Sequence, residues 1–346
     1  MKRALIILAV IIVHCTLLID NCVCQWIYQA LPSYYEVRDV KFFDANTGIM
    51  VFVPYLSSSG MLRTTNGGNN WTLINEGLYY GVLDKIDSTT VYTNAKRDGV
   101  TRIQRTYDKG LTWDSVSLSS LSNSYFGLSF INRDTGWISG ANYMYYNCIW
   151  KTTNGGVTLI QLTDTTGVGN IFFYKNKVNG EYIGWHYSSE GDNFFWKTTN
   201  SGVNWFRATR PPSQYPGYFQ FYNENTGWFT WNSNGIGGGI YKSTNGGINW
   251  ISQFVPSGNG IHNTFGEFCI INLDTIYAGG GYKDLPGGYL NALIWKTTNG
   301  GINWGYQELD TSFHIGFCGA IDFINTNTGW AFQGHGVHTT NGGGNI

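Results

Sequence analysis

The sequence predicts an all-β protein, a seven-bladed β-propeller of four-stranded antiparallel blades. Three observations predict it. First, the unit Lys296-Thr297-Thr298-Asn299-Gly300-Gly301-Ile302-Asn303-Trp304 recurs in near-copies. They lie at 64–71, 106–113, 152–159, 198–205, 243–250, 297–304 and 339–346. Second, an apolar-alternating stretch that ends in Asn-Thr-Gly-Trp, or a relative, precedes each copy by about twenty residues, and recurrence at this period marks a repeat architecture. Third, the chain holds 46 glycines, is 16% aromatic and only 12% charged, and shows no helical periodicity of useful length. That is the make-up of a tight-turned, aromatic-packed β protein.

Taken in order, residues 1–24 read as a secretory signal peptide. Lys2 and Arg3 precede an apolar run from Ala4 to Ile19, and small or polar residues follow up to Gln25. The run is shorter than the roughly 20 residues a membrane span needs. The mature chain, 25–346, is therefore expected to be exported (secreted, periplasmic or on the cell surface), with no membrane span. Cys148, Cys269 and Cys318 remain after removal of the signal. They are far apart, lack metal-ligand spacing and are odd in number, so they read as buried small hydrophobes. One disulfide is compatible with export, but nothing in the spacing selects a pair.

The 322 residues from Gln25 onward divide into seven units of 46. In each unit the first strand runs into the Asn-Thr-Gly turn and the second starts at the Trp. The third ends in Trp/Tyr-Lys-Thr-Thr, and the fourth starts at Asn-Trp after the Asn-Gly-Gly turn. Antiparallel units repeated radially also protect their edges. The chain stops inside the seventh turn with no fourth strand after it. Gln25-Trp26-Ile27-Tyr28-Gln29-Ala30-Leu31 resembles the missing strand, so the N-terminus is expected to pair with the C-terminal strands and close the ring.

The repeated turn has a physical requirement for each residue type. Asn or Asp (Asn66, Asp108, Asn154, Asn200, Asn245, Asn299, Asn341) accepts backbone N–H groups. Gly supplies the left-handed conformation. Trp71, Trp113, Trp205, Trp250 and Trp304 cover the turns, each contributing on the order of 3 kcal/mol or more. Leu159 and Ile346 stand where the third and seventh copies lack Trp, so weaker turn packing is expected there. Five of the seven copies carry a neutral Asn followed by Gly, which suits hard cations poorly. These residues read as structural, with no metal and no cofactor implied.

The pattern Thr-x-Asn/Asp-x-Gly-x-Asn/Thr-Trp resembles the Asp-box, or bacterial neuraminidase (BNR) repeat, and Thr106–Trp113 matches its Asp form. Combined with Asn-Thr-Gly-Trp, it is similar to exported propellers of the photosystem II assembly and stability factor type over nearly all of 25–346. That resemblance implies the propeller fold and a binding or assembly role. It extends more loosely to sialidases, xyloglucanase-type hydrolases and the sortilin luminal domain.

Function is sought on the face opposite the uniform turns, where variable loops emerge, because loops on a rigid scaffold carry function. Tyr143, Tyr145, Tyr146, Tyr215, Tyr218, His262, Tyr282 and Tyr289 lie on those loops. They suit sugar stacking or the anchoring residues of a protein interface. A net charge of −1 without a long Lys/Arg cluster argues against nucleic acid. For a glycoside hydrolase two carboxylates must flank the bond, and Glu267 with Asp284 is the one pair worth testing. The sequence thus reads as a non-catalytic, monomeric, protein- or glycan-binding scaffold. An Asp-box glycoside hydrolase is the alternative. A third reading, from the abrupt end at Gly344-Asn345-Ile346, is part of a larger cell-surface protein.

Overall fold

A computed structural model describes residues 25–33, 35–54, 59–77, 79–118, 121–142, 147–164, 169–187, 195–209, 216–233, 237–344 and 346. The segment read as a signal peptide, 1–24, lies outside them. Seven antiparallel sheets surround a central channel. Blade 1 comprises Tyr35–Phe42, Gly48–Pro54, Gly60–Thr64 and Thr72–Glu76, paired in chain order. The innermost strands of blades 2 to 7 are Tyr79–Lys85, Leu121–Phe130, Ile171–Val178, Pro216–Phe221, Phe268–Ile270 and Ala320–Phe323.

The ring closes as the sequence predicts. Ile27–Gln29 is the outer strand of blade 7, antiparallel to Gly336–Thr339, with Ile27 opposite His338 and Gln29 opposite Gly336. Blade 6 accounts for the 54-residue interval before Trp304. Its second strand is split into Ile276–Ala278 and Tyr282–Asp284, both paired to Leu290–Thr297, and Ile261–His262 adds outside the second half. Gly280, at φ 91°, makes the break, and a Cβ there would sit 2.4 Å from the Thr264 carbonyl oxygen.

Both turn types of a blade share one face. In every blade a backbone N–H of the 3–4 turn donates to a carbonyl of the 1–2 turn or its flank, as Gly67 does to Asn46 at 2.8 Å. Within each 3–4 turn the threonine (or Ser243) hydroxyl donates to the Asn or Asp side chain two residues on. The same hydroxyl accepts the N–H of the residue four positions on. The side-chain oxygen of the Asn or Asp is therefore used inside the turn.

The second motif holds the blades to each other. In four blades the aromatic residue that opens the second strand lies flat on the Phe that enters the 1–2 turn of the next blade, whereas Tyr92 meets Phe130 edge-on. Trp137 stacks on Phe173 at 3.6 Å, Trp185 on Phe221 at 3.8 Å, Tyr277 on Phe323 at 3.6 Å and Trp330 on Phe42 at 3.5 Å. The turn Trp of the receiving blade meets the same ring edge-on: Trp71 on Phe42, Trp205 on Phe173 and Trp250 on Phe221. Such geometries contribute about 0.5–1.5 kcal/mol beyond burial. In the third turn Leu159 is half-buried against its blade core, and Ile346 is 51% exposed. The basic residue before the turn threonine also crosses to the next blade. Arg63 donates to Lys109 O, Arg105 to Gly155 O, Lys242 to Gly300 O and Lys296 to Gly342 O. Cys148, Cys269 and Cys318 form no disulfide among the described residues.

Candidate functional site

Two concave regions bring candidate residues together. The first is the channel. One residue before the turn Phe, or before Lys85 and Ile270 where blades 2 and 6 replace it, the innermost strands carry Lys41, Asp84, Ser129, Phe172, Gln220, Cys269 and Asp322. Four of these side chains accept a backbone N–H from the next blade. Asp84 takes that of Phe130 (2.5 Å), Ser129 that of Phe173 (2.9 Å), Cys269 that of Phe323 (3.2 Å) and Asp322 that of Phe42 (2.6 Å). Lys41 cannot accept. Asp39, two residues earlier, takes the N–H of Leu83 at 2.7 Å instead.

Lys41 then spans the channel wall, 2.7 Å from Asp39 and 2.6 Å from Glu267. Its ammonium is held well above the ordinary lysine range: burial lowers it, and Asp39, Glu267 and Asp322 together outweigh that. Glu267 is raised, first by burial and then by the Asp39 charge, and Asp322 is raised by burial. Asp84 is pushed up to about 6 by burial. Lys41 thus stays protonated while Asp39, Glu267 and Asp322 crowd it. Next to this cluster is a cavity of about 320 Å³, also lined by Lys85, Lys175, Phe172 and Tyr218. It adjoins a smaller one of about 150 Å³ that reaches Arg38 and Asn170.

The second region lies on the loop face, between the blade 6 hairpin that carries Tyr282–Asp284 and the connection into blade 7. Two cavities of about 380 and 350 Å³ share Leu290 and His314 and form one groove. Tyr289, 68% exposed, stands at one end. Tyr282 lines the other, with His262 stacked on it at 4.5 Å. Asp284 Oδ2 in turn holds His262 Nε2 at 2.8 Å.

The predicted site residues therefore separate. His262, Tyr282 and Tyr289 converge on the groove. Tyr218 lines the channel cavities. Tyr143, Tyr145, Tyr146 and Tyr215 lie outside the described residues. Glu267 and Asp284 have different surroundings: Glu267 faces Lys41 in the channel, and Asp284 supports His262 at the groove. Sequence reasoning missed Asp39, Lys41, Asp84, Asp322, His314 and His335. The channel residues carried a signal, because aligning the seven units one position before the turn Phe shows polar or sulfur side chains in six of them. The two histidines carried none.

No protein-family profile and no curated protein matches the sequence. Solved structures do match in fold. A structure of YCF48 bound to D1 peptide is 17% identical with a TM-score of 0.65, covering 91% of this chain and 95% of that one. YCF48 from Cyanidioschyzon merolae gives 17% and 0.64, covering 91% and 98%. The GH74 enzyme of Niastella koreensis gives 18% and 0.69, covering 90% of this chain but 53% of that one. At these identities the likeness is one of fold, and the fold is that of the assembly-factor-like propellers that the motifs resemble.

Proposed function

We propose that this chain is an exported, non-catalytic propeller that binds a protein or glycan partner on its loop face and serves as a binding or assembly scaffold. One observation carries the reading. The acids that face the channel are already engaged in holding the ring together: Asp39, Asp84 and Asp322 each accept a backbone N–H from the neighbouring blade, and Glu267 holds Lys41. A hydrolase needs two carboxylates free to act on one glycosidic bond. The groove, by contrast, collects exposed aromatic and imidazole groups on a rigid frame, as recognition surfaces do. The similarity to a propeller solved with a bound peptide supports a protein ligand, and the aromatic platform supports a glycan equally.

The hydrolase reading has one observation in its favour. Asp84 and Glu267, both raised, line the 320 Å³ cavity together. Turnover of β-glucan and sialoside substrates by the purified chain decides between the two. The scaffold reading expects none. Turnover that disappears in Glu267→Gln or Asp84→Asn would establish the hydrolase.

A further inference from the structure

Among the concave regions, the groove between blades 6 and 7 differs from the channel in one chemical respect. Among the described residues, no Asp, Glu, Lys or Arg lines either of its cavities. The two channel cavities are lined by eight such residues between them. An ionic ligand would enter the groove without a counter-charge, and its desolvation would go uncompensated. The groove therefore selects for a neutral ligand.

The polar groups present are fixed in direction. His314 closes a short 3-10 turn in the left-handed conformation, at φ 54°. Its Nδ1 lies 2.8 Å from the Ser312 carbonyl oxygen. A carbonyl can only accept, so Nδ1 carries the proton and Nε2 of the neutral ring is an acceptor. His335 is the opposite tautomer. Its Nδ1 accepts the Leu31 N–H at 3.3 Å, which leaves the proton on Nε2. The groove thus offers an imidazole acceptor at His314, and the Gln333 amide and Thr311 hydroxyl line it as donors and acceptors. Tyr289 offers an exposed ring at one end, and Leu290 between them is 45% exposed.

The walls are held in place before any ligand arrives. The Ala292 N–H donates to Ile315 O at 2.8 Å, and buried Asn291 donates to Leu309 O at 2.9 Å. Tyr28, from the closing strand, packs on Phe313 and His335, both at 5.6 Å. Little ordering is left to do on binding.

We infer that this groove is a site for a neutral oligosaccharide. A pyranose ring presents an apolar C–H face to an aromatic ring and hydroxyls that both donate and accept. The combination of an exposed tyrosine, a fixed imidazole acceptor, hydroxyl and amide groups and no charge matches that chemistry. The inference rests on the binding-scaffold reading and specifies the ligand of its loop-face site.

The test is a glycan array that carries neutral, sialylated and sulfated oligosaccharides, probed with the full chain. Titration calorimetry with the best neutral glycan follows. Retention of neutral glycans is expected, with affinity falling at least tenfold in Tyr289→Ala and in His314→Ala. Tyr289→Phe, which keeps the ring, should bind within about threefold of the parent, since stacking rather than the hydroxyl does the work. Tyr218→Ala, at the channel, should bind like the parent. Melting curves that match the parent's ensure that a loss is not unfolding. Retention of acidic glycans alone, or neutral binding that Tyr289→Ala leaves unchanged, overturns the inference. A silent glycan array also overturns it. A peptide array then separates the two claims, because peptide binding lost in Tyr289→Ala would preserve the scaffold reading, whereas silence there too would remove both.

Discussion

Trp330 in the last blade lies flat on Phe42 in the first, with planes 4° from parallel, and its indole N–H donates to Gly67 O at 2.8 Å. This contact and the short ladder of Ile27–Gln29 on Gly336–Thr339 hold the ring at its seam. Trp330→Ala should lower the unfolding free energy by about 3–5 kcal/mol, the usual cost of deleting a buried Trp. Urea denaturation followed by fluorescence measures it. A loss below about 1 kcal/mol, far under that range, would mean that the seam bears little of the stability.

His186 is fully buried, stacked on Trp196 at 6.0 Å and edge-on to Trp205 at 4.7 Å. Burial lowers it to about 3. A depressed histidine leaves stability intact above its unfolded value of about 6.5 and removes it as pH falls toward the folded value. The parent should therefore lose stability between about pH 6.5 and 3, and His186→Phe should flatten that part of the curve. Equal slopes in the two proteins, measured by melting temperature against pH, would contradict the assignment.

Asp84 has the opposite sign. Its carboxyl is raised to about 6, so the stability it allows is present below its unfolded value and is lost as pH rises through 6. Asp84→Asn keeps an oxygen for the Phe130 N–H and removes the charge. The variant should gain on the order of 1–2 kcal/mol over the parent at pH 8, discounted for the partial exposure of the group, and nothing at pH 4. A gain that is the same at both pH values would point to packing instead of ionisation.

The turn hydroxyls can be tested singly. Thr297 donates to Asn299 at 3.0 Å and accepts the Gly301 N–H at 2.9 Å. Thr297→Val conserves shape and leaves a buried N–H unpaired, a cost of about 1–3 kcal/mol. Thr297→Ser keeps the hydroxyl and should retain most of the stability. Thermal denaturation of both variants distinguishes the hydrogen bond from the methyl contact.

What the sequence determined by itself is whatever short range decides. The Thr-x-Asn-Gly-Gly turns close on their own residues, so every copy announced itself, and seven copies with a displaced outer strand fixed the blade count and the manner of closure. The extra strand pairing in blade 6 left only a trace, an interval of 54 residues, because a split strand changes spacing but not turn chemistry. What tertiary structure alone decided depends on pairs distant in the chain. Lys41 and Glu267 are 226 residues apart, and Leu31 and His335 are 304 apart. Ring closure sets which side chains face each other across a channel or a groove, and the repeat pattern carries no record of it. Glu267 and Asp284, only seventeen residues apart in the chain, were separated for the same reason. One lies on the innermost strand's approach to the channel, and the other lies beyond the glycine break that turns the second strand outward to the loop face.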